Sequence, residues 1–195
     1  IVRSVLGDFL ESLRGDVRPA LRVYGHRYRA LDDRVNESSE LVVPLTPGNP
    51  GTFIAAMNGL RCRGKTPIAY SLRQASGDLR RAPRGVPTIV ILITDGPDSD
   101  RTAKPEVAAA ALAEKGHVHV IGFRFDDPWG VKQMQRIAEA GNGNYFQAKS
   151  ATDLRDALDS AIGTSLYVLK AVSGGAEIQG KAGDRKGLPP GKYTM

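Results

Sequence analysis

Long hydrophobic runs and cysteine are the two features that this sequence most clearly lacks. No apolar stretch approaches the ~20 residues that a membrane-spanning helix needs, so we expect no membrane insertion in this segment. The single cysteine, Cys62, has no second cysteine with which to form an internal disulfide. We expect it to serve as a small, partly buried side chain. Zinc-finger spacing and aromatic-interleaved basic motifs are also missing, so nucleic acid is not an expected partner.

A recognisable start is missing as well. The chain opens at Ile1, already inside an amphipathic pattern, with neither Met nor a signal peptide, so we expect a fragment. The hydrophobic fraction of 41% and the charged fraction of 25% over 195 residues are ordinary for a soluble globular domain. The formal net charge is +6, with basic residues densest in 14–34 and 61–84. We interpret this charge as a solvated basic surface, with attraction to an anionic partner as the alternative.

Helix and strand patterns alternate along the chain. Apolar residues at helical spacing predict a first helix from residue 1, closed by Gly15. Thr66 and Pro67 predict a longer helix, with Thr66 as the N-cap and Pro67 in the first helical position. The continuous run 88–94 is typical of a strand buried on both faces. Further strands are predicted at 20–25, 40–45, 117–125 and 144–148, and further helices at 52–60, 107–115, 131–140 and 152–162.

This alternation predicts an α/β fold of three layers over residues 1–163, with helices on both faces of a mostly parallel sheet. The composition then changes. A strand-like run at 166–172 and a glycine-rich stretch predict that residues 164–195 begin a β-sandwich-like module. A β-rich tail that packs on the first domain is the alternative.

Two oxygen-bearing side chains stand at the predicted ends of elements. Asp95 follows the most hydrophobic strand, and Thr66 precedes a helix. Ligands of open α/β sheets bind beyond the carboxyl ends of the strands, and a hydroxyl and a carboxylate are hard ligands that suit Mg²⁺. On spacing alone the simpler interpretations, an Asp-Gly turn and a helix cap, are favoured.

Two segments favour the metal site over these simpler interpretations. They are 64–69, which reads Gly-Lys-Thr-Pro-Ile-Ala, and 91–96, which reads Ile-Leu-Ile-Thr-Asp-Gly. Together they resemble two of the three motifs of von Willebrand factor type A domains, whose fold is Rossmann-like. The resemblance extends in the same order over roughly residues 1–162 and is closest to bacterial members of the family. Further agreement lies at 23–26, 41–45, 120–123 and 137–146.

The resemblance implies a metal-ion-dependent adhesion site built from three loops, which supply Asp-x-Ser-x-Ser, a Thr and an Asp. Thr66 and Asp95 match the second and third contributions. In such a site Mg²⁺ or Mn²⁺ keeps one position for an acidic group of a protein partner. The sequence contains no Asp-x-Ser-x-Ser, and the family's central strand, which precedes that motif, is missing too. We therefore expect an N-terminally truncated domain that binds no metal by itself, whereas the complete parent protein binds one if the missing piece carries the motif.

Three functions follow as hypotheses. The first is an adhesion-type protein-binding module at an extracytoplasmic site, periplasmic, secreted or on the cell surface. The second is a scaffold or assembly domain that works without metal. The third is a nucleotide-binding enzyme, because Gly59 and the run 64–66 match a phosphate-binding loop. No set of nucleophile, base and orienting group is recognisable, so we expect a protein that is not an enzyme.

The remaining polar candidates receive structural interpretations. Asp98, Asp100, Asp126 and Asp127 follow predicted strands, and solvated loops are expected for all four. His117 and His119 alternate along one strand. They are interpreted as structural histidines and not as a zinc pair, because no third ligand has suitable spacing.

Overall fold

The computed structural model describes residues 1–13, 17–45, 50–83 and 86–163, and the backbone of the strands at 166–171, 177–181 and 193–194. The helices are α1 (Val2–Ser12), α2 (Pro50–Asn58), α3 (Ile68–Asp78), α4 (Pro105–Ala113), α5 (Pro128–Ala140) and α6 (Ala151–Gly163). The strands are β1 (Leu21–Tyr24), β2 (Ser39–Val43), β3 (Ile89–Thr94), β4 (His117–Phe123), β5 (Tyr145–Ala148), β6 (Leu166–Ala171), β7 (Glu177–Lys181) and β8 (Tyr193–Thr194). No helix of the described ranges has the length and apolar character that crossing a membrane requires.

The strands of the described part of residues 1–163 form two sheets. β3, β4 and β5 form a parallel sheet in that order, with Ile89 opposite His117 and Val120 opposite Tyr145. Parallel neighbours need crossover connections, and α4 and α5 provide them. β1 and β2 pair antiparallel in a separate sheet. The predicted α/β fold is confirmed.

Helices cover both faces of the parallel sheet because side chains of a strand alternate between its faces. On β4, Val118 and Val120 join the buried cluster that α3, α4 and α5 supply with residues such as Leu72, Leu112 and Ile137. The intervening positions Ile121 and Phe123 point to the other face. There they join Val5, Phe9, Leu154, Ala157 and Leu158 from α1 and α6. The predicted three layers are therefore present, with the cores on either side of β4.

β3 is less buried than its composition predicts. Leu92 and Thr94 are buried, but Ile89, Val90, Ile91 and Ile93 are only half-buried. Within the described residues β3 bonds to β4 along one edge, and no strand pairs with its other edge. The prediction was burial on both faces, and β3 does pack on both, since Val90 and Leu92 join one core cluster and Ile91 and Ile93 join the other. The burial is incomplete because the second edge of the strand has no paired neighbour among the described residues.

Helix α3 starts later than its sequence signals indicate. Pro67 is the N-cap, with φ −81° and ψ 72°, and the helix begins at Ile68 without a cap from its own side chains. The predicted roles of Thr66 as N-cap and Pro67 as first helical residue are therefore wrong. The physical reason lies in another loop, since a carboxylate oxygen of Asp98 accepts the N–H of Ala69 at 2.6 Å. Asp98 thus satisfies one backbone N–H of the first helical turn, which is the role expected of the Thr66 side chain.

The C-terminal strands form an antiparallel sheet with β6 between β7 and β8. The predicted strand at 166–172 is confirmed as β6. The predicted helix end at Gly15 and most of the glycine-rich stretch after β6 lie outside the described residues. The assignment of residues 164–195 to a separate module stays a prediction.

Candidate functional site

Three loops meet at the edge where β1 and β3 end, and we call them the rim. The carbonyl of Gly25 accepts the N–H of Arg63 at 3.0 Å and that of Gly64 at 2.9 Å. These two bonds join the loop after β1 to the segment before α3. The rim consists of residues 25–38, 59–67 and 95–104.

Gly25 is required at this junction. Its φ is +71°, and a Cβ there would lie 2.6 Å from the carbonyl oxygen of Lys65. Only glycine adopts this backbone conformation without steric cost and leaves room for the neighbouring chain. The tight contact therefore fixes how the two loops sit against each other.

The loop after β3 completes the rim. The N–H of Ser99 donates to the carbonyl of Thr66 at 2.9 Å, and the Ser99 hydroxyl donates to Oδ1 of Asn36 at 3.1 Å. Ser99 thus contacts both other loops. The rim is one connected structure at the carboxyl ends of β1 and β3, where open α/β sheets bind their ligands.

The two predicted metal ligands lie on adjacent loops of the rim. Asp95 directly follows β3 and is exposed, whereas Thr66 is half-buried and anchored through its carbonyl to Ser99. Their side-chain oxygens are of the type that Mg²⁺ prefers, but an octahedral shell needs about six such donors. Within the described ranges no group of three or more His, Cys, Asp or Glu could hold a metal. Their role as ligands stays a prediction.

Asp98 is the carboxylate that organises the loop carrying Asp95. Its side chain accepts the N–H of Ala69 at 2.6 Å and that of Asp100 at 2.9 Å. Its own N–H donates to Oε1 of Gln133 at 2.9 Å. Only 4% of the residue is exposed, so the prediction of a solvated loop is wrong here. Burial raises the pKa of the Asp98 carboxyl, and the two N–H bonds partly oppose that rise.

The other three loop carboxylates have local roles. Asp126 and Asp127 are exposed, as predicted. Asp127 caps α5 by accepting the N–H of Gly130 at 2.8 Å. Asp100 is half-buried, and hydrogen bonds from the hydroxyl and N–H of Thr102 lower its pKa.

The two histidines of β4 stack on each other with ring centroids 6.2 Å apart. Nδ1 of His117 lies 2.6 Å from the carbonyl of Asn142, and Nδ1 of His119 accepts the N–H of Asn144 at 3.1 Å. Both rings therefore hold the turn before β5. These contacts support the structural interpretation of the pair.

The phosphate-binding-loop hypothesis is wrong. Such a loop follows a buried strand and opens a helix, whereas the segment before Gly59 is helix α2. Helix α3 also starts only at Ile68, beyond the Thr66 that the motif would place at the helix start. Gly59, Gly64, Lys65 and Thr66 therefore do not form a phosphate-binding loop.

Sequence reasoning missed a basic groove on the rim. The groove is open, has a volume of about 580 Å³, and is lined by Arg29, Ala30, Leu31, Arg61, Cys62 and Arg63. Cys62 is exposed there, which corrects the expectation of a partly buried residue. The available signal was the high density of basic residues in two separate segments, which the fold brings together.

The family model for the von Willebrand factor type A domain matches residues 37–160. The chain is also 30% identical over 166 residues to the uncharacterized protein YwmD of Bacillus subtilis, covering 80% of this chain and 72% of that relative. The fold, the rim at the strand ends and these matches agree. The chain belongs to the von Willebrand factor type A domain family.

Solved structures share the fold at 18% sequence identity. They include a von Willebrand factor type A protein from Catenulispora acidiphila (TM-score 0.68) and the pilus adhesin SpaC from Lactobacillus rhamnosus GG (0.63). A third is proximal thread matrix protein 1 from the mussel byssus with a zinc-occupied MIDAS motif (0.58). The matches cover 87%, 87% and 82% of this chain but only 40%, 30% and 38% of those chains. This chain thus spans less than half of each of those longer proteins.

Proposed function

We propose that this domain is a protein-binding module whose parent protein uses a divalent metal ion at the rim to hold an acidic group of its partner. The observation that carries the proposal is the hydrogen bond from Ser99 to Thr66 at 2.9 Å. It joins the loop of Asp95 to the segment of Thr66 at the carboxyl edge of the sheet. Family membership and the zinc-occupied MIDAS motif of the byssus protein support the same interpretation.

In this proposal Thr66 supplies a hydroxyl and Asp95 a carboxylate to Mg²⁺ or Mn²⁺, and the partner's carboxylate takes a remaining position. The ion supplies a positive charge that links two proteins. Asp98 is a positioning residue, because its bonds to Ala69 and Asp100 hold the loop that carries Asp95.

The proposed role is binding and not catalysis, at an extracytoplasmic location. Two structural neighbours, a pilus adhesin and a protein of the mussel byssus, belong to extracellular structures by their names. Their likeness to this chain is one of fold. The location therefore follows from the adhesion-type function that we propose.

A calorimetric titration of Mg²⁺ tests the metal site. It uses the parent protein, its Asp95→Ala variant and a control variant, Asp156→Ala, which removes an exposed carboxylate from α6. We expect Mg²⁺ binding by the parent protein and by the control variant. Asp95→Ala should bind at least about tenfold more weakly, which corresponds to about 1.4 kcal/mol. The 195-residue chain alone should show negligible binding. Equally weak binding by the parent and Asp95→Ala would defeat the metal hypothesis. The metal-independent scaffold would then be favoured.

A further inference from the structure

We propose that the basic groove of the rim docks an acidic segment of a protein partner, and that this docking needs no metal ion. The groove is the one lined by Arg29, Arg61 and Arg63. The inference rests on the proposed protein-binding function and names the chemistry of the partner. It uses rim residues other than Thr66 and Asp95, so the two proposals fail under different experiments.

The first argument is the concentration of charge. Segments 26–34 and 61–65 are far apart in sequence, and the carbonyl of Gly25 holds them together. They contain six cationic side chains and two carboxylates, an excess of four positive charges in a chain of formal net charge +6. These two segments therefore carry a local excess of positive charge. The cations are Arg27, Arg29, Arg34, Arg61, Arg63 and Lys65, and the carboxylates are Asp32 and Asp33.

Some of these charges already have partners within the domain. Arg34 lies 3.4 Å from the carboxylate of Asp32 and 4.4 Å from the ring centroid of Tyr28. Arg27 lies 3.7 Å from the carboxylate of Glu40. These two guanidinium groups are therefore partly neutralised. They are not counted among the unpaired cations of the groove.

The charges at the groove differ in this respect. Arg29, Arg61 and Arg63 line the groove and are exposed. In the ranges that the structure describes, none of the three forms an ion pair with a carboxylate. Three unpaired cations around one groove repel, and an anionic ligand relieves that repulsion. The groove is therefore complementary to a negatively charged segment.

The shape and the apolar content of the groove favour a peptide. Leu31 is 98% exposed and lines the groove together with Ala30 and Cys62. A segment that mixes acidic and apolar residues would satisfy both the cations and this apolar strip. Single-stranded nucleic acid binds through exposed aromatic rings, but Arg34 covers the ring of Tyr28 here.

The experiment measures fluorescence anisotropy of a labelled peptide of Glu with interspersed Leu. Two triple variants are compared with the 195-residue chain. Arg29→Ser with Arg61→Ser and Arg63→Ser removes the groove cations, and Arg80→Ser with Arg81→Ser and Arg136→Ser removes the same charge from exposed sites elsewhere. We expect about tenfold or greater weakening for the groove variant, about 1.4 kcal/mol, and less than about twofold for the control. Equal unfolding midpoints of the two variants exclude loss of folding as the cause.

The conditions separate this inference from the metal-dependent proposal. Binding should persist with EDTA, and it should weaken at high salt because the Debye length falls from about 10 Å at 0.1 M to about 3 Å at 1 M. Equal weakening in both triple variants, loss of binding with EDTA, or preference for an oligothymidylate or for phosphatidylglycerol vesicles would each overturn the inference. The Mg²⁺ titration of the parent protein is independent of all these outcomes.

Discussion

The hydroxyl of Tyr24 donates a hydrogen bond of 2.7 Å to the main-chain carbonyl of Ile93. Tyr24 ends β1 and Ile93 lies near the end of β3, two strands that share no backbone ladder in the described part of the chain. The Tyr24 hydroxyl is protonated at neutral pH and can donate, and burial raises its pKa further above the ordinary value of 10.0. A side chain therefore links the two sheets just below the rim.

Replacing Tyr24 with Phe removes this link and little else. The carbonyl of Ile93 loses its donor, and we expect the free energy of unfolding to fall by about 0.5–1.5 kcal/mol. Urea unfolding of the variant measures this change. The control is Tyr70→Phe, because the Tyr70 hydroxyl makes no hydrogen bond with any described residue and should cost less. Equal effects of the two substitutions would contradict a structural role for the Tyr24 bond.

Asp98 offers a graded test of the rim. Asp98→Ala leaves the N–H groups of Ala69 and Asp100 without their acceptor, and each unsatisfied buried donor costs about 1–3 kcal/mol. Asp98→Asn should cost less, since an amide oxygen still accepts a bond and carries no charge for burial to penalise. Urea unfolding at pH 7 ranks the variants, with Asp156→Ala as the exposed control. A larger loss for Asn than for Ala would contradict this account of the contact.

The pH dependence of stability tests His119. Burial, with a smaller contribution from His117, lowers the pKa of His119 from its ordinary value of 6.5. The unfolded chain therefore binds the proton more readily. The neutral His119 ring therefore makes its full contribution to stability above pH 6.5. This contribution is lost as the pH falls from 6.5 through the lowered pKa of His119 in the folded state.

Substitution of His119 by Gln removes this titration. We expect the unfolding midpoint of this variant to decrease less steeply below pH 6.5 than that of the original protein. His117→Gln is the matched control and should keep most of the fall, because burial of His119 is the main cause. Unfolding midpoints measured by circular dichroism across this range decide the point. Parallel curves for the original protein and His119→Gln would refute the explanation.

The order of elements was predictable because it depends on local patterns. The apolar run ending at Thr94 predicted β3, and the run 117–125 predicted β4. Burial was harder to predict, since the half-buried Ile89 and Ile91 depend on which strands are neighbours. The buried Asp98 was missed because its partner Ala69 lies in a different segment of the chain.

The sequence by itself determined the α/β class, the family motifs around Thr66 and Asp95, and the positive net charge. These features depend on residue types and short spacings. Only the tertiary structure decided that Ser99 joins the loop of Asp95 to Thr66, and that Arg29 lies beside Arg61 and Arg63 in one groove. Such contacts join segments that lie far apart along the chain, so no local pattern encodes them. They form because the loops at the ends of β1 and β3 meet at one edge.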